Sequence, residues 1–143
     1  MIMVAWDYDS YTIDDVNEYV EEFKQNQESI DGMLDDIFDQ ILPDFPTESD
    51  LEHLLGVVMW VIRSGYEVKK NYLITVKKIL DELILEGKQK EWCQPLQRKK
   101  KLLHERKIIV SIIINKKIPK LKLKKKTKKR VGYINKYQQS YVE

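Results

Sequence analysis

The fifteen residues KKIPKLKLKKKTKKR, 116–130, carry ten cations. Ammonium groups at this density neutralise phosphates and release condensed counterions, so the chemistry they suit is non-covalent binding to a polyanion. The candidates are Lys116, Lys117, Lys120, Lys122, Lys124, Lys125, Lys126, Lys128, Lys129 and Arg130. Tyr133 and Tyr137, with Tyr141 a further step of four along, supply rings able to stack on unpaired bases. Lysine far outnumbers arginine, the residue that reads guanine bidentately, so binding to RNA or DNA should be largely blind to sequence. With about six cations on phosphates, log K would fall against log salt with a slope near −5. The cluster KKKTKKR, 124–130, also has the form of a short nuclear import signal. The expected location is therefore intracellular: cytoplasmic, or nuclear if the source is eukaryotic.

Residues suited to covalent chemistry are scattered. Cys93 and His104 are eleven apart and His53 stands alone. A zinc site needs about four ligands, and a cysteine nucleophile needs a placed base. In MVAWDYDSYT, Asp7 and Asp9 follow an apolar run, and the stretch resembles the D-x-D start of haloacid-dehalogenase-type phosphatases. Tyr11 stands where that family has Thr or Val, and no alternating strand and helix pattern follows. VKKILDELILEGK, 76–88, resembles the recognition helix and turn of winged-helix domains. That resemblance implies a basic wing beyond Gly87 and places Lys69, Lys70, Lys77 and Lys78 toward a DNA groove. The expectation is a non-enzymatic protein with no cofactor and no metal site. The single cysteine, which closes no intrachain disulfide, fits a reducing compartment.

The net charge of +2 conceals a polar arrangement. Residues 1–52 hold sixteen Asp and Glu against Lys24, a balance of −15. Residues 92–143 hold seventeen Lys and Arg against Glu105 and Glu143, a balance of +15. Asp14, Asp15, Glu18, Glu22, Asp35 and Asp36 crowd one face of the acidic part and are the candidates for contact with a protein partner. Like charges at i, i+4 destabilise a helix by about 0.2–0.5 kcal/mol per pair, so this face needs packing or cationic company.

The elements that must position these groups are mostly helices. Ile13, Val16, Val20, Phe23, Gln27, Ile30, Leu34, Ile37 and Ile41 alternate steps of three and four. That is one stripe of a helix, with Gly32 as a point of division. It suits a coiled-coil seam or, in a chain of this length, one wall of a bundle. Thr12 with Asp15 predicts a capping box at its start, and Pro43 and Pro46 end it. PTESD restarts a helix with Thr47 or Ser49 as cap, and Leu51, Leu54, Leu55, Val58, Met59 and Ile62 make it the most buried, with Gly65 as its stop. A third runs from about Val68 to Glu86, closed by Gly87. MIMVAW has the composition of an edge strand or a hydrophobic lead-in. KIIVSIII, 107–114, is β-branched and of strand length, and a basic β-ribbon over 107–125 is one conformation the pattern allows.

The fold expected is mainly α: a small bundle of three to four helices with a basic C-terminal extension, divided as an acidic-to-neutral helical domain, 1–92, and a Lys-rich extension, 93–143. The longest uncharged apolar stretch, Leu54–Ile62, is far short of a membrane span, and the acidic start lacks the basic region of a signal peptide. The function expected is binding of nucleic-acid phosphates by the extension while the acidic helices contact protein. Alternatives are a charge-polarised, self-assembling scaffold and an acidic-face inhibitor docked on a basic nucleic-acid enzyme.

Overall fold

The computed structural model describes residues 4–26, 28–42, 46–115, 121–128 and 130–132, the side chains of Glu48 and Lys88 excepted. Among them the chain is mainly helical. Helices α1 (Asp14–Asn26), α2 (Ile30–Ile41), α3 (Glu48–Arg63), α4 (Lys70–Leu85) and α5 (Pro95–Asn115) form a bundle. A two-stranded antiparallel sheet joins β1 (Val4–Ala5) to β2 (Val131–Gly132), with Val4 opposite Gly132 and Ala5 opposite Val131. No helix among the described residues is long and apolar enough to cross a membrane.

The long stripe is two helices, and its break falls before Gly32. Ser29 caps α2, its hydroxyl accepting from the Gly32 N–H at 3.0 Å, so glycine sits inside the first turn. Val16, Val20, Met33, Leu34, Ile37 and Phe38 from these two helices are buried. Gln27 lies outside the described residues. Thr12 does not cap α1: it closes a 3₁₀ turn at Ser10–Thr12, and its hydroxyl donates to the Asp7 and Asp9 carbonyls. Of the two caps offered for the next helix, Thr47 rather than Ser49 is the one used, and with Asp50 it forms a reciprocal capping box at the start of α3. Gly65 and Gly87 take φ of 88° and 69°, the left-handed region expected of helix-ending glycines.

α3 is the central helix, packing against α1, α2, α4 and the 3₁₀ turn. Leu54, Leu55, Val57, Val58, Met59, Val61 and Ile62 are all buried. Each such side chain removed from water contributes about 1.5–3 kcal/mol before the ordering entropy is subtracted. Gly56 is what lets the 3₁₀ turn approach α3 so closely. A methyl group at Gly56 would meet the Ser10 carbonyl oxygen and a Val16 methyl, both at 2.5 Å.

The β-branched run 107–114 is the principal departure from expectation: it is helix, continuous with α5 from Pro95. Pro95 starts that helix at the position where its missing N–H costs nothing. Leu102, Ile108, Ile109 and Ile112 then join the same buried cluster as α3 and α4. Packing against α4 outweighs the strand preference of the β-branched residues. Residues 121–127 are neither helix nor strand, so no ribbon spans 107–125 in the described residues. Nor does a wing follow Gly87; a short 3₁₀ turn, Lys88–Glu91, leads into α5.

Gly56→Ala should therefore destabilise the fold by about 1–3 kcal/mol through overpacking, despite alanine's better helix propensity of about 1 kcal/mol. Urea unfolding of the two proteins checks it, and an unchanged or higher midpoint would contradict the close approach of Ser10 to α3.

Candidate functional site

The two oppositely charged ends of the sequence meet in the core. Arg98, on the inner face of α5, is completely buried, as is Asp9, and Glu52 and Glu105 are nearly so. The Arg98 guanidinium donates to Glu52 Oε1 at 2.9 Å, to the Tyr8 carbonyl at 2.7 Å and to Ser10 Oγ at 3.0 Å. It lies 4.3 Å from the centre of the Trp92 ring, whose Nε1 also donates to Glu52 at 3.2 Å. Glu105, two turns further along α5, accepts the Ser10 hydroxyl at 2.7 Å and stands 3.6 Å from Arg98. Burial drives the Glu105 carboxyl up to about 7, although Arg98 and Ser10 pull it the other way. Desolvation outweighs the nearby guanidinium because that charge is shared with Glu52.

Beside this network, three cations converge on Asp9: Lys124 at 2.9 Å, Lys101 at 3.5 Å and Arg63 at 3.7 Å. Burial and the neighbouring ammonium lower Lys101. Lys124, despite its own desolvation, is held above the ordinary lysine range by the Asp9 and Asp7 carboxylates. Desolvation would raise Asp7, but the Tyr8 N–H and Lys124 outweigh it and hold that carboxyl below its usual range. The D-x-D pair is thus part of the fold's ionic frame, and Asp9 presents no surface to solvent.

Lys124 belongs to a strap, residues 121–128 and 130–132, drawn back over the acidic front. The Lys124 N–H donates to Tyr11 Oη at 2.9 Å, Thr127 Oγ1 to the Trp6 carbonyl at 3.3 Å, and Arg63 to the Lys122 carbonyl at 3.1 Å. Arg130 grips Asp14 through both carboxylate oxygens, at 3.1 and 3.0 Å. Val131 is buried, and the Gly132 carbonyl accepts the Cys93 N–H at 2.8 Å. Two of the nominated cations, Lys124 and Arg130, therefore fasten the strap. Lys122, Lys125, Lys126 and Lys128 are exposed and form no ion pair among the described residues. Lys116, Lys117, Lys120, Lys129, Tyr133 and Tyr137 lie outside the described residues.

Protein-family models give this chain no match, and neither do curated proteins or solved structures. The site must be read from its own geometry.

The acidic face divides in the same way. Asp14 is taken by Arg130, and Asp35 is bonded to the Tyr72 hydroxyl and lies 3.5 Å from Lys69. The Asp35 contact is the main reason that the Tyr72 phenol is pushed up to about 12. Asp15, Glu18, Glu22 and Asp36 are exposed and form no ion pair with a described residue. Glu22 and Asp36 flank a groove of about 370 Å³ between α1 and α2, lined also by Tyr19, Phe23, Asn26, Glu28 and Gln40. Of the DNA-groove candidates, Lys77 is tied to Asp81 at 2.9 Å, and Lys69 to Asp35. His53 packs edge-on against Tyr19, and desolvation holds its pKa below the ordinary value. Among the described residues no three His, Cys, Asp or Glu side chains converge on a metal-sized site.

The Arg98 network escaped the sequence. Its one visible signal is Glu105, an isolated acid in the basic half, in helical register with Arg98 seven residues earlier.

Because Glu105 takes up its proton at a higher pH folded than unfolded, its contribution to stability is greatest below about 4.5 and is lost as the pH rises through about 7. Glu105→Gln should flatten the decline of the urea midpoint across that window. Arg98→Met, which takes the guanidinium away from Glu52 and Glu105 in the core, should cost about 3–5 kcal/mol at pH 7. A wild-type midpoint in Arg98→Met, or an unaltered pH profile in Glu105→Gln, would refute the network.

Proposed function

We propose that the protein is a non-enzymatic binding protein whose strap lysines engage nucleic-acid phosphates and whose acidic α1–α2 face contacts protein. One observation carries the first half: Lys122, Lys125, Lys126 and Lys128 are exposed on a segment whose backbone is already fastened from beneath. A backbone ordered in advance loses less entropy on binding than a disordered lysine tail. Four such contacts give a slope of log K against log salt of about −3.6 on a duplex and about −2.8 on a single strand. The neighbouring carboxylates of Glu18, Glu21 and Glu22, which share a hollow with Lys126 and Arg130, oppose a polyanion and keep this affinity modest.

A second reading, docking of the acidic face on a basic nucleic-acid enzyme, is favoured by the exposed carboxylates of Glu18, Glu22 and Asp36 and by the groove beside the last two. A cationic side chain entering there finds the Tyr19 and Phe23 rings as well as carboxylates.

Fluorescence anisotropy with a labelled single-stranded oligonucleotide separates the two readings. The full chain should bind at 50 mM salt and weaken steeply by 300 mM. Replacing Lys122, Lys125, Lys126 and Lys128 by Ala should reduce affinity by an order of magnitude or more, while Glu18→Gln with Glu22→Gln should strengthen it. No binding at 50 mM salt, or binding indifferent to salt, would reject the phosphate reading and leave the acidic face as the functional surface.

A further inference from the structure

α5 has a second apolar face. Its inner side carries Arg98, Leu102, Glu105, Ile109 and Ile112. Leu96, Leu103, Val110 and Ile114 follow steps of seven, seven and four, which places them together on the opposite side of the helix. Leu96 is 77% exposed, Leu103 47% and Ile114 70%. On the neighbouring helix, Ile74 and Leu85 lie on the same stripe as Asp81, which is paired with Arg106 of α5. Both are exposed, Leu85 at 87%. Exposed apolar residues scattered singly are ordinary, but a row of them along one helix marks an interaction surface.

We infer that this outer face of α5 is a docking surface for an acidic amphipathic helix of a partner protein. Charge complementarity decides the occupant. Lys99 and Arg106 border the stripe on one side, Lys100 and Lys107 on the other, and Lys99, Lys100 and Lys107 are exposed without an ion pair among the described residues. A helix with apolar residues every three to four positions, flanked by Glu or Asp, would bury the leucines while its carboxylates met those lysines. A second copy of this chain seated through the same face would set the lysines against their own images. A polynucleotide gains nothing from Leu96, Leu103 or Ile114, so this surface goes beyond the phosphate reading and does not depend on it.

The test uses the full chain and two fluorescein-labelled synthetic helices of identical apolar residues, one flanked by Glu and one by Lys. Anisotropy should show the Glu-flanked helix binding at least about tenfold more tightly, and Leu103→Glu with Ile114→Glu should lower its affinity by about tenfold or more. Thermal unfolding checks that the variant remains folded, as substitution at exposed positions should allow. Sedimentation velocity reads the oligomeric state in parallel. Equal binding of the two helices, absence of binding, indifference to the double substitution, or dimerisation abolished by Leu103→Glu would each overturn the proposal.

Discussion

The rest of the structure depends on one buried guanidinium. Arg98 holds Glu52 of the central helix, the Tyr8 carbonyl and the Ser10 hydroxyl of the N-terminal segment, and the face of Trp92. These belong to stretches of sequence some forty to ninety residues apart. A buried ion is costly unless its attractions are well aligned, and removing one partner is worse than removing both. The arrangement joins three distant segments at one buried point and draws an acid of the front and a base of the rear together. Part of that polarity is internal wiring.

The remainder of the charge is left outside. The strap uses its backbone, Lys124 and Arg130 to lie down on Tyr11, Trp6, Asp7 and Asp14, and leaves Lys122, Lys125, Lys126 and Lys128 exposed. Exposed pairs such as Arg130 with Asp14 contribute only about 0–1 kcal/mol and are screened by salt, whereas Lys124 reaches a carboxylate that water does not. The strap is thus pinned by Lys124 on the buried Asp9 and, beyond Arg130, by the pairing of Val131–Gly132 with β1 and the Cys93 N–H.

What was legible in the sequence was whatever local physics decides. The apolar stripes of the first four helices, a cap at Thr47 or Ser49 and the glycines at 65 and 87 depend on neighbours within a few residues, and all were readable, though the reciprocal Asp50 bond to Thr47 was not. The cap assigned to Thr12 was misplaced because a hydroxyl there finds the Asp7 and Asp9 carbonyls first. The stretch 107–114 misled because β-branched residues on a helix need a distant wall, here α4, to outweigh their preference. Which cations would be taken up by Asp9 and Asp14, and which left to solvent, was beyond any pattern of spacing, since it turns on partners about 115 residues away.

The pairing of Val4–Ala5 with Val131–Gly132 has a consequence for how the chain comes into being. A ribosome delivers residues in order, at about 5–20 per second, so the front of the molecule waits seconds for its closing strand. Throughout that interval Glu52 has no Arg98 to lean on and β1 has an open edge. Until then the Asp9 carboxylate waits for Lys101 and Lys124 and β1 for its neighbour, a state in which a chaperone would find most to hold.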